Sequence, residues 1–462
     1  MKILLVVYDN LSDTHHFPMG LGYIASVLRE AGHEVVIYSQ DFHHYPDEHL
    51  TEYLDENKFD VIGYSTIAGY YQYRKTLAAA EAINKSKNRP YFILGGHGPA
   101  PEPEFYLKKT QADCAVIGEG EETMLEIIDA LENKKPFSDI LGIAYREGDD
   151  VHITPRRPVI EDIDAIPFPA WDLFPIEYYR QKRMPNSLST DFVMPVLSGR
   201  GCKFKCNFCY RLDPGQRIRS DESILEEIER LKKDFGITYI VFIDELLMSS
   251  EERTISLCNA MIKNKTNVKW WCNGRLNYAK PDVLAHMKKA GCVFINYGIE
   301  SMDNDALRNM NKALTVDQVY KGVDATLAAG LSPGLNIIFG NIGETMETLK
   351  SGTEFLLKYL DGSQMRTIRP VTPYPGSPLY YHAIKEGLIK DVEDFYENKH
   401  LNSDLLAVNF TTESEEDIYR GLLEANEQLI KSYYDKQVEN ALSSMRSLYL
   451  DKNVAFRGFR HR

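Results

Sequence analysis

Three cysteines, Cys202, Cys206 and Cys209, crowd the stretch GCKFKCNFCYR in a chain with seven cysteines in all. A structural zinc site closes with four Cys or His ligands. No histidine lies between His152 and His286, and the next cysteine, Cys258, falls on a predicted helix. Inert thiols belong in apolar surroundings, whereas Lys203, Lys205, Asn207 and Arg211 make this loop polar. The remaining chemistry is an iron–sulfur cluster on three thiolates, with one iron open to another ligand. Placement of the loop after a strand favours the cluster. On chemistry alone, zinc and inert thiols stay open.

The elements that must position this loop follow from periodicity. The first 150 residues alternate strand and helix signals, the pattern of a parallel α/β sheet. Strands are predicted at Lys2–Tyr8, Glu34–Tyr38, Asp60–Tyr64, Tyr91–Leu94 and Ala115–Ile117, and a helix at Leu21–Ala31. Ligands of open parallel sheets sit at the C-terminal strand ends. Those ends carry Ser65 and Thr66, then Gly95, Gly96, His97 and Gly98, then Gly118, Glu119 and Gly120. A proline-rich segment at 151–190, with DIDAIPFPAWDLFP inside it, reads as an extended linker. A second alternation fills 191–380, with strands at Phe192–Leu197, Tyr239–Ile243, Val268–Cys272, Val293–Tyr297, Leu335–Phe339 and Met365–Arg369. That predicts a (β/α)6 partial barrel with polar strand ends. Ser249-Ser250-Glu251-Glu252 reads as a capping box. Residues 381–462 are polar and helical, expected to cap the barrel, and end in the basic tail Arg457–Arg462.

Composition narrows the class. With 44% hydrophobic and 26% charged residues the chain is an ordinary globular protein. A net charge of −14 argues against broad nucleic-acid binding. No apolar run reaches a membrane span, and MKILLVVYDN reads as a first strand rather than a signal peptide. An odd cysteine count with three clustered does not form a disulfide framework, so a reducing cytoplasm is expected.

The pattern Cys202-x3-Cys206-x2-Cys209-Tyr210, after the first barrel strand, resembles the radical S-adenosylmethionine (SAM) superfamily. The resemblance implies that the three thiolates hold a [4Fe–4S] cluster whose open iron chelates SAM, and that Tyr210 packs beside the adenine. It also implies SAM contacts from Asp244, Glu245, Glu300 and Ser301, from Glu344 in the segment after the fifth strand, and from Arg275 toward the carboxylate. The alternative for each is a salt bridge at the barrel end. FPMGLGYIASVLREAGHEV, LGGHGPAPEPE, AVIGEGEET and IPFPAWDLFP together resemble the cobalamin-binding branch of that family, over about residues 1–380. Cobalamin would then sit against Ser65, Thr66, Gly95, Gly96, His97, Gly98, Gly118, Glu119 and Gly120. Glycine lets backbone approach a bulky ligand, and no G-x-G-x-x-G opens the first helix, which weakens a dinucleotide alternative. His15 and His16 lie where some cobalamin domains keep a cobalt ligand, but Gly20 is too distant for that motif; a solvated loop pair is the alternative.

The function so implied is methylation of an unactivated carbon: a radical from SAM takes a hydrogen and methylcobalamin gives the methyl. Oxidative ring formation or rearrangement on the same scaffold is the runner-up, and a non-catalytic cobalamin or redox sensor the third reading. The expected partners are a small-molecule or biosynthetic-intermediate substrate and an electron donor such as flavodoxin or ferredoxin. Tyr374, in the turn TPYPGSP after the sixth strand, is the candidate catalytic contact to substrate; a proline-fixed structural turn explains it equally well.

Overall fold

The computed structural model describes residues 1–184, 186–213, 215–453 and 455; the basic tail Arg457–Arg462 lies outside them. The N-terminal sheet contains β1 (Lys2–Val7), β2 (Glu34–Ser39), β3 (Val61–Ser65), β4 (Tyr91–Gly95), β5 (Cys114–Val116), β6 (Ile143–Glu147) and β7 (Asp150–Ile153), in the order β2-β1-β3-β4-β5-β6-β7. Strands β1 to β5 run parallel, while β6 and β7 add an antiparallel edge. Helices cover both faces. Ile3, Leu5 and Val7 feed one core cluster and Leu4 and Val6 the other, which is why KILLVV is apolar throughout instead of alternating. The β6–β7 hairpin has no counterpart among the expected strands. Its strands are short, and Gly148 turns the chain with φ +66°.

The expected linker is packed down, not tethered in solvent. Gly22 sits under Pro169, whose Cβ would meet an added methyl at 2.9 Å, and Ala170 donates its amide to the Gly22 carbonyl. Phe17 then contacts Trp171, Phe174 and Tyr179 at ring separations of 4.6–5.0 Å.

The second sheet contains β8 (Val193–Val196), β11 (Tyr239–Phe242), β12 (Lys269–Gly274), β13 (Cys292–Glu300), β14 (Ser332–Phe339) and β15 (Arg369–Pro370). Its order is β15-β14-β13-β12-β11-β8, all parallel, an open barrel with β8 and β15 as its edges. Between β8 and β11 a hairpin, β9 (Gly199–Gly201) with β10 (Gln216–Ile218), is added. Two expectations are corrected. The last strand is not Met365–Arg369: Met365 is exposed, Arg366 turns inward to the carbonyls of Tyr359 and Pro333, and only Arg369 and Pro370 pair with β14. Ser250 is an N-cap, accepting from the Arg253 amide, but no reciprocal glutamate closes a box.

At the C-terminus, helix Pro378–Lys385 and the turn Phe395–Lys399 pack on the N-terminal domain, with Tyr396 stacked on Tyr73 at 4.5 Å. The irregular segment before the last helix crosses the ends of β14 and β15: Asp404 pairs with Arg369, and Leu406 lies beside Gly340. The helix Glu415–Tyr449 lies along Met346–Lys358, close enough that a Cβ on Gly421 would collide with Met346.

Candidate functional site

A cavity of about 790 Å³ opens between the C-terminal ends of the N-terminal strands and the start of the barrel. Ser65, Thr66, Gly95, Gly96, His97, Gly118, Glu119 and Gly120 all line it. Its floor is backbone. A Cβ on Gly95 would meet nothing within 4 Å, so that glycine leaves a bare face toward the cavity. Gly96 is bound by geometry: it has φ +92°, and a Cβ there would stand 2.4 Å from the Thr66 carbonyl oxygen. Gly98 sits behind the wall, donating its amide to that same carbonyl. Leu5, Gly63, Ile93 and Met124 also line the cavity.

The two histidines separate. His16 is exposed and lines the cavity. His15 is buried, against Tyr179 at 5.3 Å, and its Nε2 has no partner; burial, with His16 beside it, pulls its pKa down to about 4. The pair is therefore not solvated as a whole, because the aromatic cluster around Phe17 takes one ring into the core.

The far wall belongs to the barrel: Leu197, Arg200, Gly201, Asp213, Arg217 and Glu245. Arg200 donates to Glu119 at 2.6 Å and Glu121 at 2.5 Å, and Arg217 donates to the other oxygen of Glu119 at 2.7 Å. Burial alone would raise the Glu119 pKa. Hydrogen bonds from Arg217, Arg200 and the Ile160 amide outweigh it and hold the carboxylate below its ordinary value. Both Glu119 oxygens are thus occupied in an ion network that ties the two domains together, with the buried charges fully paired. His97 is held low by burial, with Glu245 and Asp213 opposing. Its ring meets Tyr210 edge-on at 5.9 Å.

Gly201, in the cavity wall, runs directly into Cys202. Cys206 is buried and Cys209 exposed; a hydrogen bond from Cys209, helped by Lys312 and Arg275, lowers the Cys206 pKa to about 6. Among the described residues no three Cys, His, Asp or Glu side chains gather around one point as a mononuclear ion requires. Three cysteines on one short loop are the donor types an iron–sulfur cluster would take, one thiolate to each of three irons. Tyr210 is wedged at the domain boundary: a Cβ on Gly376 would stand 2.4 Å from its ring. That contact places the TPYPGSP turn on the cysteine loop, as does the Leu379 amide donating to the Asn207 carbonyl. The Tyr374 ring itself lies against His400 at 5.3 Å and Phe395 at 6.3 Å.

The acidic strand-end residues divide by role. Asp244 receives the Ser198 amide at 2.6 Å and the Ser198 hydroxyl, and burial raises it to about 6. Glu245 accepts from the Gly201 amide at 3.0 Å and faces the cavity. Glu300 closes a bulge in β13 with φ +74° and is paired with buried Lys312 at 2.8 Å. A non-glycine residue held there is strained, a feature that clusters at functional sites. Ser301 is buried beside Glu344, whose carboxyl pKa its hydroxyl helps hold down. Glu344 is buried, accepts from the Asn341 amide at 3.0 Å, and is raised to about 7 by desolvation. Arg275 stacks on Phe204 at 3.6 Å and donates to the Lys312 carbonyl, so its guanidinium is largely engaged.

Sequence reasoning missed Lys312, Arg200, Arg217 and Asp213. Arg200 carried a signal, since it abuts the cysteine loop. Lys312 carried none: it sits in NKAL, between helices, and gains meaning only from Glu300 opposite.

Comparison with known proteins converges on the same two halves. The B12 binding domain family matches residues 6–128 and the radical SAM superfamily residues 196–356. An uncharacterized methyltransferase of Pyrococcus horikoshii is 31% identical over 401 residues, covering 84% of each chain. An anaerobic magnesium-protoporphyrin IX monomethyl ester cyclase of Rubrivivax gelatinosus is 28% identical, covering 79% of this chain and 65% of that one. Among solved structures, the radical SAM methyltransferase TsrM of Kitasatospora setae, with cobalamin and a [4Fe–4S] cluster bound, aligns with a TM-score of 0.74. That alignment covers 93% of this chain and 90% of the other at 17% identity, a likeness of fold.

Proposed function

The chain belongs to the radical SAM superfamily, in the branch that carries a B12 binding domain, and we propose that it methylates an unactivated carbon of a small-molecule or biosynthetic-intermediate substrate. Bound together, a [4Fe–4S] cluster, SAM and cobalamin supply one-electron chemistry and a methyl carrier that side chains lack. The observation that carries the reading is the shared wall, in which Gly201 faces the cavity and Cys202 begins the cluster loop. Groups that must react need near-contact placement, and a wall shared by cavity and cysteine loop supports this reading. Cys202, Cys206 and Cys209 hold the cluster. Glu300, Ser301 and Glu344 orient SAM, with Lys312 fixing the Glu300 carboxylate. The Arg200–Glu119–Arg217 network holds the two halves in register. The cavity glycines admit the corrin, and Tyr374 stands in the turn nearest the substrate. We assign electron supply to a flavodoxin or ferredoxin, a cytoplasmic setting, and no nucleic-acid substrate.

The test is product accounting with methyl-deuterated SAM. Equal amounts of 5′-deoxyadenosine, S-adenosylhomocysteine and labelled methyl product are expected. Deoxyadenosine with converted substrate, but neither S-adenosylhomocysteine nor added methyl, replaces methylation with ring formation, the chemistry named for the cyclase relative.

A further inference from the structure

Side chains alternate across a strand, so a barrel strand that packs one set against its helices turns the other set inward. Cys272, Ile295, Tyr297, Leu335, Ile337 and Phe339 join the core on the helix side. Asn273 and Asn296, set between them, are half-buried, and Asn336 is exposed although it lies inside β14. Three carboxamides thus share the inner face of the open barrel, a space that closed barrels fill with branched apolar side chains. They form a ladder. Asn336 donates to the Asn296 side-chain oxygen at 2.8 Å and to the Tyr297 carbonyl at 3.0 Å. Asn296 donates to Asn273 at 3.1 Å, and Asn273 to the backbone carbonyl of Asp244 at 2.8 Å. A backbone carbonyl only accepts, which fixes the orientation of each amide in turn. Gly334 keeps room for the ladder: a Cβ there would stand 2.6 Å from the Asn296 oxygen. Below it Trp271 and Phe294 meet edge to face at 5.7 Å, and the buried Nε1 of Trp271 has no partner among the described residues.

The ladder is not closed on itself. A carboxamide has two N–H donors and one acceptor oxygen. Asn336 uses both donors and leaves its oxygen open, while Asn296 and Asn273 each use one donor and leave the other. Free N–H groups therefore stand on two neighbouring strands, about 5 Å apart, beside a free acceptor on the third. The inner faces of β12, β13 and β14 carry no charged side chain at this level. A carboxylate or phosphate would lose its water there with no cation to meet it. A neutral group with a carbonyl next to an N–H can answer donors and acceptor together. We infer that the ladder is a subsite for a lactam, ureide or carboxamide group of the substrate, with Trp271 and Phe294 under its apolar body. Naming the occupant as substrate rests on the proposed methylation; the affinity for an amide edge does not.

Saturation-transfer difference NMR on the full chain, reconstituted with its cluster and loaded with SAM and hydroxocobalamin, tests this with ε-caprolactam as the probe. Cyclohexanone and hexanoate are the controls, one without the N–H and one charged. The lactam signal should exceed either control at least about fivefold, since only the lactam pairs with both donors and acceptor. Asn296→Leu should bring it down to the control level, with SAM affinity by equilibrium dialysis unchanged. Asn336→Ala should do the same and keep its melting temperature, because Asn336 is exposed. A lactam signal no stronger than that of cyclohexanone overturns the subsite, and so does an equal signal in wild type and Asn336→Ala. A matching fall in SAM affinity in Asn296→Leu overturns it too, by making the ladder part of the SAM site. Failure of the methyl accounting with the lactam signal intact would discard the reaction and keep the subsite.

Discussion

The cavity and the barrel end face each other, yet they are built from different material. The cavity floor is backbone and glycine, and one carboxylate in its wall, Glu119, is consumed by two arginines. The barrel end is built from ionisable side chains held by neighbours: Asp244 by Ser198, Glu300 by Lys312, and Glu344 by the Asn341 amide. A site made of backbone should respond to added volume and ignore charge. A site made of buried ions should do the reverse.

The largest separation comes from the cysteines. Changing Cys202, Cys206 and Cys209 together to alanine should abolish the broad visible absorption of the anaerobically reconstituted cluster while cobalamin still binds. Full iron and sulfide in that protein would remove these residues from the ligand set. The reciprocal change is Gly95→Val. Its side chain would enter open space, so melting temperature and cluster content should hold while cobalamin affinity falls at least about tenfold. The same change at Gly96 should also destabilise the fold, since φ +92° and the Thr66 carbonyl oppose any side chain. Equal melting temperatures for the two variants would contradict this division of the glycines.

These assignments show what sequence can carry. The cysteine spacing and the glycine loops were legible because each is local, fixed by neighbours a few residues away. The parallel strands were legible for the same reason, being continuous apolar runs. The β6–β7 and β9–β10 hairpins were not, since strands of three to five residues lack a period to read. Ion pairing was the least legible. Glu119 reads as a loop acid next to glycines, and only the fold brings Arg200 and Arg217 to it. Asp244 and Glu300 were legible as acids at strand ends, but their partners, Ser198 and Lys312, were not visible as such from the sequence.

The next effects belong to the ionic half. Lys312→Gln removes the partner of a buried carboxylate and should cost about 3 kcal/mol in unfolding free energy. SAM affinity should fall as Glu300 is released, with cobalamin affinity unchanged. Glu344 gives a pH signature. Burial raises it from 4.5 to about 7, so the folded state binds the extra proton. Stability from this group is complete below the unfolded value and is lost as pH rises through about 7. The loss is up to about 3 kcal/mol, and Glu344→Gln should flatten the profile across that window. A wild-type slope retained in the variant would assign the titration elsewhere, with Asp244, raised to about 6, the next carboxyl to change.

The smallest effect separates the two histidines, and it asks whether the cavity half contains any ionisable contribution at all. His15 is enclosed by Tyr179 and the Phe17 cluster, outside the cavity lining, and burial holds it neutral with a pKa near about 4. His16 lines the cavity, and partial desolvation by the cavity wall lowers its pKa, with Asp41 pulling back. Electron paramagnetic resonance of the Co(II) protein reads any axial nitrogen as hyperfine splitting. His15→Ala should leave the spectrum unchanged and instead lower the melting temperature by a few degrees, through lost packing. His16→Ala should change neither, if the cavity is a backbone site as its glycines indicate. A nitrogen splitting in wild type that vanishes only in His16→Ala would break the comparison, because the cavity would then hold its ligand through an ionisable side chain as the barrel does.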